Sequence, residues 1–330
     1  MVSQIREFST SRFPGLAVVV TIAFAASFLG EHYGAPTMLF ALLLGMALRF
    51  LYENEQTVPG VNFAACEILR IGVALLGLRV ALSDVVAVGL ETLALMAVGI
   101  GSTIFFGVAV ARIMGLKSRF GALTGGAVAI CGASAAMALS AVLPDGKNKE
   151  QNTIFAVIGV TSLSTIAMIF YPILTGTLGH TENEAALFLG GTIHDVAQVV
   201  GAGYSISEAT GDQATLVKLI RVAFLVPVVL MFAVAFRARS TGGASAQAFP
   251  LFLVGFAAFV LLNSYVAIPP VIKGFFVDAS RFMLVAAIAA IGLKSDLKEL
   301  ANVGLRPVLL MVFETVWLAV VILVGMEMVL

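Results

Sequence analysis

Gly125-Gly126-Ala127-Val128-Ala129-Ile130-Cys131-Gly132-Ala133-Ser134 lies in the middle of an apolar stretch, 119–143, long enough to span a bilayer once. A second stretch, 185–206, is interrupted in the same way by Gly190-Gly191-Thr192-Ile193-His194-Asp195-Val196-Ala197-Gln198. Paired glycines and polar groups in an apolar helix predict that the helix breaks there. Irregular backbone at that depth survives only when buried in protein or lining a cavity. Each stretch is too short for two crossings, but two legs of about nine residues at ~1.5 Å each reach about 13 Å, close to the midplane. Crossing interrupted helices and re-entrant hairpins both satisfy this arithmetic and both stay open.

The rest of the chain supplies the setting. Of 330 residues, 60% are hydrophobic and 12% charged, against roughly 45–50% and 25% in soluble domains. A mean hydropathy of +1.05 spreads that excess over the whole length. Further apolar stretches fall near 14–30, 35–51, 62–84, 88–112, 150–172, 213–236, 249–267, 278–293 and 305–329, giving ten or eleven segments. They lack the alternation of a spanning barrel, so the fold class is all-α, a polytopic transmembrane helical bundle forming a single transmembrane domain, 1–330. The first stretch, behind Arg6 and Arg12, reads as a retained helix and not a signal peptide.

Orientation follows Lys and Arg in short loops. The N-terminus and the loops with Arg112, Lys117 and Arg119, with Arg237 and Arg239, and with Lys294, Lys298 and Arg306 are expected to be cytoplasmic. Simple alternation fails at the loop Asp145–Lys149 and at the acidic loop with His180, Glu182 and Glu184. Both failures vanish if the two Gly-Gly stretches return to the side they entered from.

A shift of 215 residues superposes Leu69 on Leu284, Ala74 on Ala289, Gly77-Leu78 on Gly292-Leu293, Leu82 on Leu297 and Val88-Gly89-Leu90 on Val303-Gly304-Leu305. Arg79 then falls on Lys294 and Asp84 on Glu299. In the orientation above the two copies are inverted, with a first repeat near 35–143 and a second near 185–330. Inverted repeats whose interrupted helices meet at the midplane are the signature of secondary transporters.

Ionisable groups inside a membrane cost at least about 2.5–3.5 kcal/mol, so each one asks for a reason. His194 and Asp195 form the candidate coupling pair, since a carboxylate beside an imidazole tunes its titration. Gln198, four residues on in helical spacing, shares the face of His194 and offers an amide to a substrate oxygen. Cys131, Gly132 and Ser134 occupy the matching place in the first break, where a half-helix N-terminus favours an anion. Cys131 itself reads as a small apolar filler. Arg70 is the deeper cation of its helix and a candidate for the anion, while Arg79 is expected to snorkel. Lys218 and Arg221, one turn apart, form a second cationic face, with an exposed helix end as the plain alternative. Glu314 stands alone in the last helix and reads as a packing contact.

Leu-Arg-Ile-Gly-Val-Ala-Leu-Leu-Gly-Leu-Arg at 69–79, Gly-Ala-Val-Ala-Ile-Cys-Gly-Ala-Ser-Ala-Ala at 126–136, His-Asp-Val-Ala-Gln-Val-Val-Gly-Ala-Gly at 194–203 and Val-Lys-Leu-Ile-Arg-Val at 217–222 resemble the YeiH-type sulfate exporter family of bacterial inner membranes. The likeness covers nearly the whole chain. It implies a secondary transporter of a small anion, sulfate or an organosulfonate, in the cell inner membrane. The expected partners are that anion, a proton or sodium as coupling ion, and the lipid bilayer, with a homodimer left open. The rival class is a channel or a cation/proton antiporter in which Asp195 binds the cation. No HExxH, GxSxG or nucleotide loop occurs, so no enzyme, cofactor or metal is expected. The 19 basic and 19 acidic residues cancel, which argues against a nucleic-acid partner.

Overall fold

The computed structural model describes residues 2–34, 36–144, 148–236, 251–296, 298 and 303–329, the side chains of 2–10 and 329 excepted. The expectations placed on Asp145–Lys147, Arg237, Arg239, Leu297 and Glu299 lie outside the described residues, and so does the side chain of Arg6. Among those described there is no strand, and helices follow one another throughout. In chain order they are α1 (Val2–Tyr33), α2 (Thr37–Ala47), α3 (Val58–Leu76), α4 (Leu82–Ala87), α5 (Gly89–Ile113), α6 (Ser118–Ala129), α7 (Ala133–Val142) and α8 (Lys149–Thr177). Then come α9 (Glu182–Thr192), α10 (Val196–Tyr204), α11 (Glu208–Ala223), α12 (Leu225–Ala235), α13 (Leu251–Tyr265), α14 (Pro270–Lys294) and α15 (Leu305–Val329).

Seven helices among the described residues are long and apolar enough to cross a membrane, α11 and α12 counting together as one. The sequence suggested ten or eleven such segments. The difference has a geometric cause: both Gly-Gly stretches split into half-length helices, and α2 and α13, at 11 and 15 residues, reach only about 17 and 23 Å at ~1.5 Å per residue.

The chain divides into two compact units. One gathers Met1–Val86, Val200–Asp212 and Leu251–Ser295. In it α14 packs against α1, α2 and α3, and its run Leu284–Ala290 is buried without interruption, the pattern of a helix enclosed on all sides. Ser280 Oγ ties it to α3 by donating to the Gly72 carbonyl at 2.7 Å. The helix expected over 62–84 stops at Leu76, because Gly77, Leu78 and Arg79 donate to the carbonyls three residues back, at 3.1, 3.0 and 2.9 Å. Arg79, expected to snorkel, follows this turn and pairs with acidic groups. Its Nη2 meets Glu208 Oε2 at 2.9 Å and its Nε meets Asp212 Oδ2 at 3.0 Å, while Tyr204 donates to Asp212 and Arg281 joins Glu208 at 2.7 Å. Burial works against the Arg79 charge, but Tyr204, Asp212 and Glu208 outweigh it and hold this guanidinium above its ordinary pKa.

The other unit gathers Ala87–Val199, Gln213–Pro250 and Asp296–Leu330. There α6 lies along α5 and α15, and α9 packs on α15 and α8. The backbones of α5 and α6 touch: a Cβ on Gly121 would land on the Gly107 carbonyl, and one on Gly107 would strike the Gly121 carbonyl oxygen at 2.6 Å. Small residues of this kind let helices approach where lipid gives no hydrophobic drive. Phe106 stacks on Trp317 at 4.5 Å beside this seam.

Candidate functional site

The first break is Ile130-Cys131-Gly132. α6 ends at Ala129, and α7 begins after Gly132, whose φ of +65° and ψ of −126° suit a residue without Cβ. The second is Ile193-His194-Asp195, where Ile193 turns extended at ψ 138°. The two meet: the position a Cβ would take on Gly132 lies 3.7 Å from the His194 carbonyl carbon and oxygen.

A helix end leaves its last carbonyls without partners, and together they carry about half a negative charge. Here two such ends, of α6 and α9, are served by one turn of α11. Lys218 Nζ donates to Ile130 O, Ile193 O and His194 O at 2.7, 2.8 and 2.6 Å. Arg221 donates through Nε to Ile130 O at 3.0 Å, through Nη1 to Gly190 O at 3.2 Å and through Nη2 to Val128 O at 2.9 Å. Both side chains are at most 1% exposed, so the exposed helix end considered for them is excluded. All three ammonium protons are used, and both cations act here as partners of the backbone.

The starting ends differ. The N-cap of α7 is Gly132, which has no side chain to cap with; the Cys131 thiol meets the Ala135 N–H of the first turn, and that turn presents Ser134 on an exposed face. Asp195 caps α10 with its own carboxylate, Oδ1 accepting the Ala197 N–H at 3.2 Å, and its main-chain N–H donates to Ser164 Oγ on α8 at 3.1 Å. Of the two half-helix N-termini, α10 is capped by a carboxyl oxygen and α7 is met by a thiol.

His194 is fully buried, with Nδ1 3.1 Å from Val128 O and Nε2 3.0 Å from Thr315 Oγ1. It stands in the break, one residue before the Asp195 cap, so the four-residue spacing does not set it on a helical face with Gln198. Gln198 is 1% exposed, and its Oε1 has no partner among the described residues. Cys131 is buried and free. Cys131, Gly132, Ser134, His194, Asp195, Gln198, Lys218 and Arg221 all belong to one unit, while Arg70 belongs to the other. There Arg70 is half exposed and pairs with Glu67 at 2.8 Å.

Three participants escaped the sequence reading: Thr315 on His194, Ser164 on the Asp195 amide, and Thr124. Threonines and serines in apolar helices carry no signal until their neighbours are known. Glu314 did carry one, being a carboxyl in a spanning helix. It is fully buried on α15, with Thr124 Oγ1 2.8 Å from its Oε1. That is the packing contact expected for it, made to a polar partner.

Residues 14–311 match the family described as Conserved hypothetical protein 698. The UPF0324 membrane protein CT0845 of Chlorobaculum tepidum is 51% identical over 94% of this chain and 88% of its own length. The UPF0324 membrane protein TauZ of Paracoccus denitrificans is 50% identical over 96% and 95%. A UPF0324 membrane protein of Bacteroides thetaiotaomicron is 31% identical over 93% and 95%. No solved structure matches the chain.

Proposed function

The chain belongs to the Conserved hypothetical protein 698 family, whose curated relatives are named UPF0324 membrane proteins, and from that premise we propose that it is a secondary transporter of a small oxyanion. The observation that carries the reading is the meeting of two broken helices whose carbonyl ends are neutralised by Lys218 and Arg221. Two buried positive charges then stand beside the half-helix N-terminus whose N-cap is a glycine and whose first turn meets a thiol in place of a carboxylate. Free N–H groups and a nearby cation favour an anion there without a full ion pair. Ser134 supplies a hydroxyl, and Gln198 an amide whose two ends are assigned by their surroundings.

Sulfate or an organosulfonate is the substrate class, in keeping with the resemblance to the YeiH-type exporters. Transport is by alternating access between inverted repeats, His194 and Asp195 couple it to protons, and the protein resides in the bacterial inner membrane with a cytoplasmic N-terminus. The test is thermal unfolding of the purified protein against sulfate, sulfite, sulfonates, phosphate, carboxylates, sodium and lithium, since a ligand bound to the folded state raises the melting temperature. An oxyanion shift that disappears in Ser134→Leu and Gln198→Leu supports the site. A shift with sodium or lithium alone, abolished by Asp195→Asn, would replace it with a cation/proton antiporter.

A further inference from the structure

The Glu314 carboxyl occupies a niche between α5 and α6. A Cβ on Gly107 would collide with its Oε1, so glycine leaves the room it fills. Its two oxygens are unequal: Oε1 meets Thr124, while Oε2 is buried and has no partner among the described residues. Glu314 stands nine residues on from Leu305, so the group lies about 14 Å into the helix at ~1.5 Å per residue, near the midplane of a ~30 Å core.

Among the described residues, the helices packed on α15 bring no cation beside Glu314. On α5 and α6 the ionisable residues Glu91, Arg112 and Arg119 sit in end turns. α8 and α9 likewise carry theirs in the first turn, Tyr171 excepted. Arg306 is two turns back on α15 itself. The ionisable group that reaches α15 beside Glu314 is His194, through Thr315.

Hydrogen-bond arithmetic then fixes the state. The Thr124 hydroxyl has one proton and three acceptors around it: Phe120 O at 3.1 Å, Gly121 O at 3.4 Å and Glu314 Oε1 at 2.8 Å. If the carboxyl is ionised, Thr124 must turn to it and abandon the helix carbonyls, and Oε2 is still a bare charged oxygen in a membrane interior. An isolated buried carboxylate is costly enough that such groups take up a proton instead. If Oε1 carries a proton, it donates to Thr124 Oγ1, which donates on to Phe120 O, and Oε2 is left as a neutral carbonyl oxygen.

We propose that Glu314 is a proton-binding residue of this protein, neutral in the conformation described, and that its proton passes to water, leaving the carboxylate, when the helix breaks rearrange. The second half rests on the transport reading. Adjacent residues of α15 hold the two broken helices, Glu314 through Thr124 of α6 and Thr315 through His194, so movement of either break changes the enclosure that keeps the acid neutral.

Infrared spectra of the full-length protein in liposomes at pH 7, wild type against Glu314→Gln, test the first half. The expected result is loss of one protonated-carboxyl carbonyl band in the variant, and equal bands in both overturn it. Should the variant fail to fold, dicyclohexylcarbodiimide, which attacks protonated carboxyls in apolar surroundings, is applied to the wild type. An adduct at Glu314 that declines as pH rises supports the proposal, and none at any pH overturns it. In proteoliposomes, sulfate flux through Glu314→Gln is expected to lose its pH dependence, and an unchanged profile overturns the coupling half. Absence of flux from the wild type overturns the transport reading together with that half, while the infrared result still decides the proton site.

Discussion

Burial separates the two kinds of cation in this chain. Lys218→Met strips the donor from Ile193 O and His194 O and leaves Ile130 O to Arg221 alone, and each buried acceptor left without a partner costs about 1–3 kcal/mol. At about 2 °C per kcal/mol, the low end of the range for 150–250 residues because this chain is longer, the melting temperature of Lys218→Met is expected to fall by on the order of 4–12 °C. Arg70→Ala removes a half-exposed pair with Glu67, worth about 0–1 kcal/mol, and should melt within roughly 2 °C of the wild type. Thermal unfolding in detergent ranks the two, and equal effects would show that the carbonyl ends do not depend on Lys218. The sequence marked both as membrane cations, Arg70 as the deeper one of its helix and Lys218 as part of a second cationic face with Arg221. It could not show that Glu67 is within reach of Arg70, or that Lys218 faces backbone, because a carbonyl leaves no trace in residue identity.

The broken helices were legible because their cause is local. Gly132 adopts a backbone that L side chains rarely take, and a residue held in such a region costs about 1–3 kcal/mol, so Gly132→Ala is expected to lower stability by that amount. Circular dichroism melts read it directly. The same measurement on α5 and α6 separates packing from propensity. Gly121→Ala drives a methyl into the Gly107 carbonyl, whereas Gly101 on the same α5 faces open space. Gly121→Ala should therefore destabilise, and Gly101→Ala should be neutral or gain up to about 1 kcal/mol. What stayed hidden was the end of α3 at Leu76. An apolar run continues through it, and the Arg79 that follows the turn pairs with Glu208 and Asp212, more than a hundred residues away.

A chain of this composition fixes its class through solvent alone, which is why the helical membrane bundle followed from counting residues, whereas its function turns on how a few polar groups are shared. His194 shows the difference. Val128 O can only accept, so Nδ1 bears a proton in either charge state, and the site that changes is Nε2. When Nε2 is bare, Thr315 must donate to it and release the Met311 carbonyl, which it otherwise holds at 2.8 Å. When Nε2 is protonated it donates to Thr315, and the bond to Met311 returns. Protonation of one ring thus resets a contact between the second break and α15. Under the proton-coupled reading, sulfate flux into proteoliposomes should respond to an imposed pH difference in the wild type and lose that response in His194→Ala. Thr315→Val keeps the ring but removes the hydroxyl that follows its charge, so its pH response should weaken without the substrate-induced melting shift changing. A His194→Ala protein with the wild-type pH profile would remove the imidazole from the coupling and leave Glu314 as the carrier to be tested. A flat profile in both variants, with anion binding intact, would place the proton's entry at the break itself.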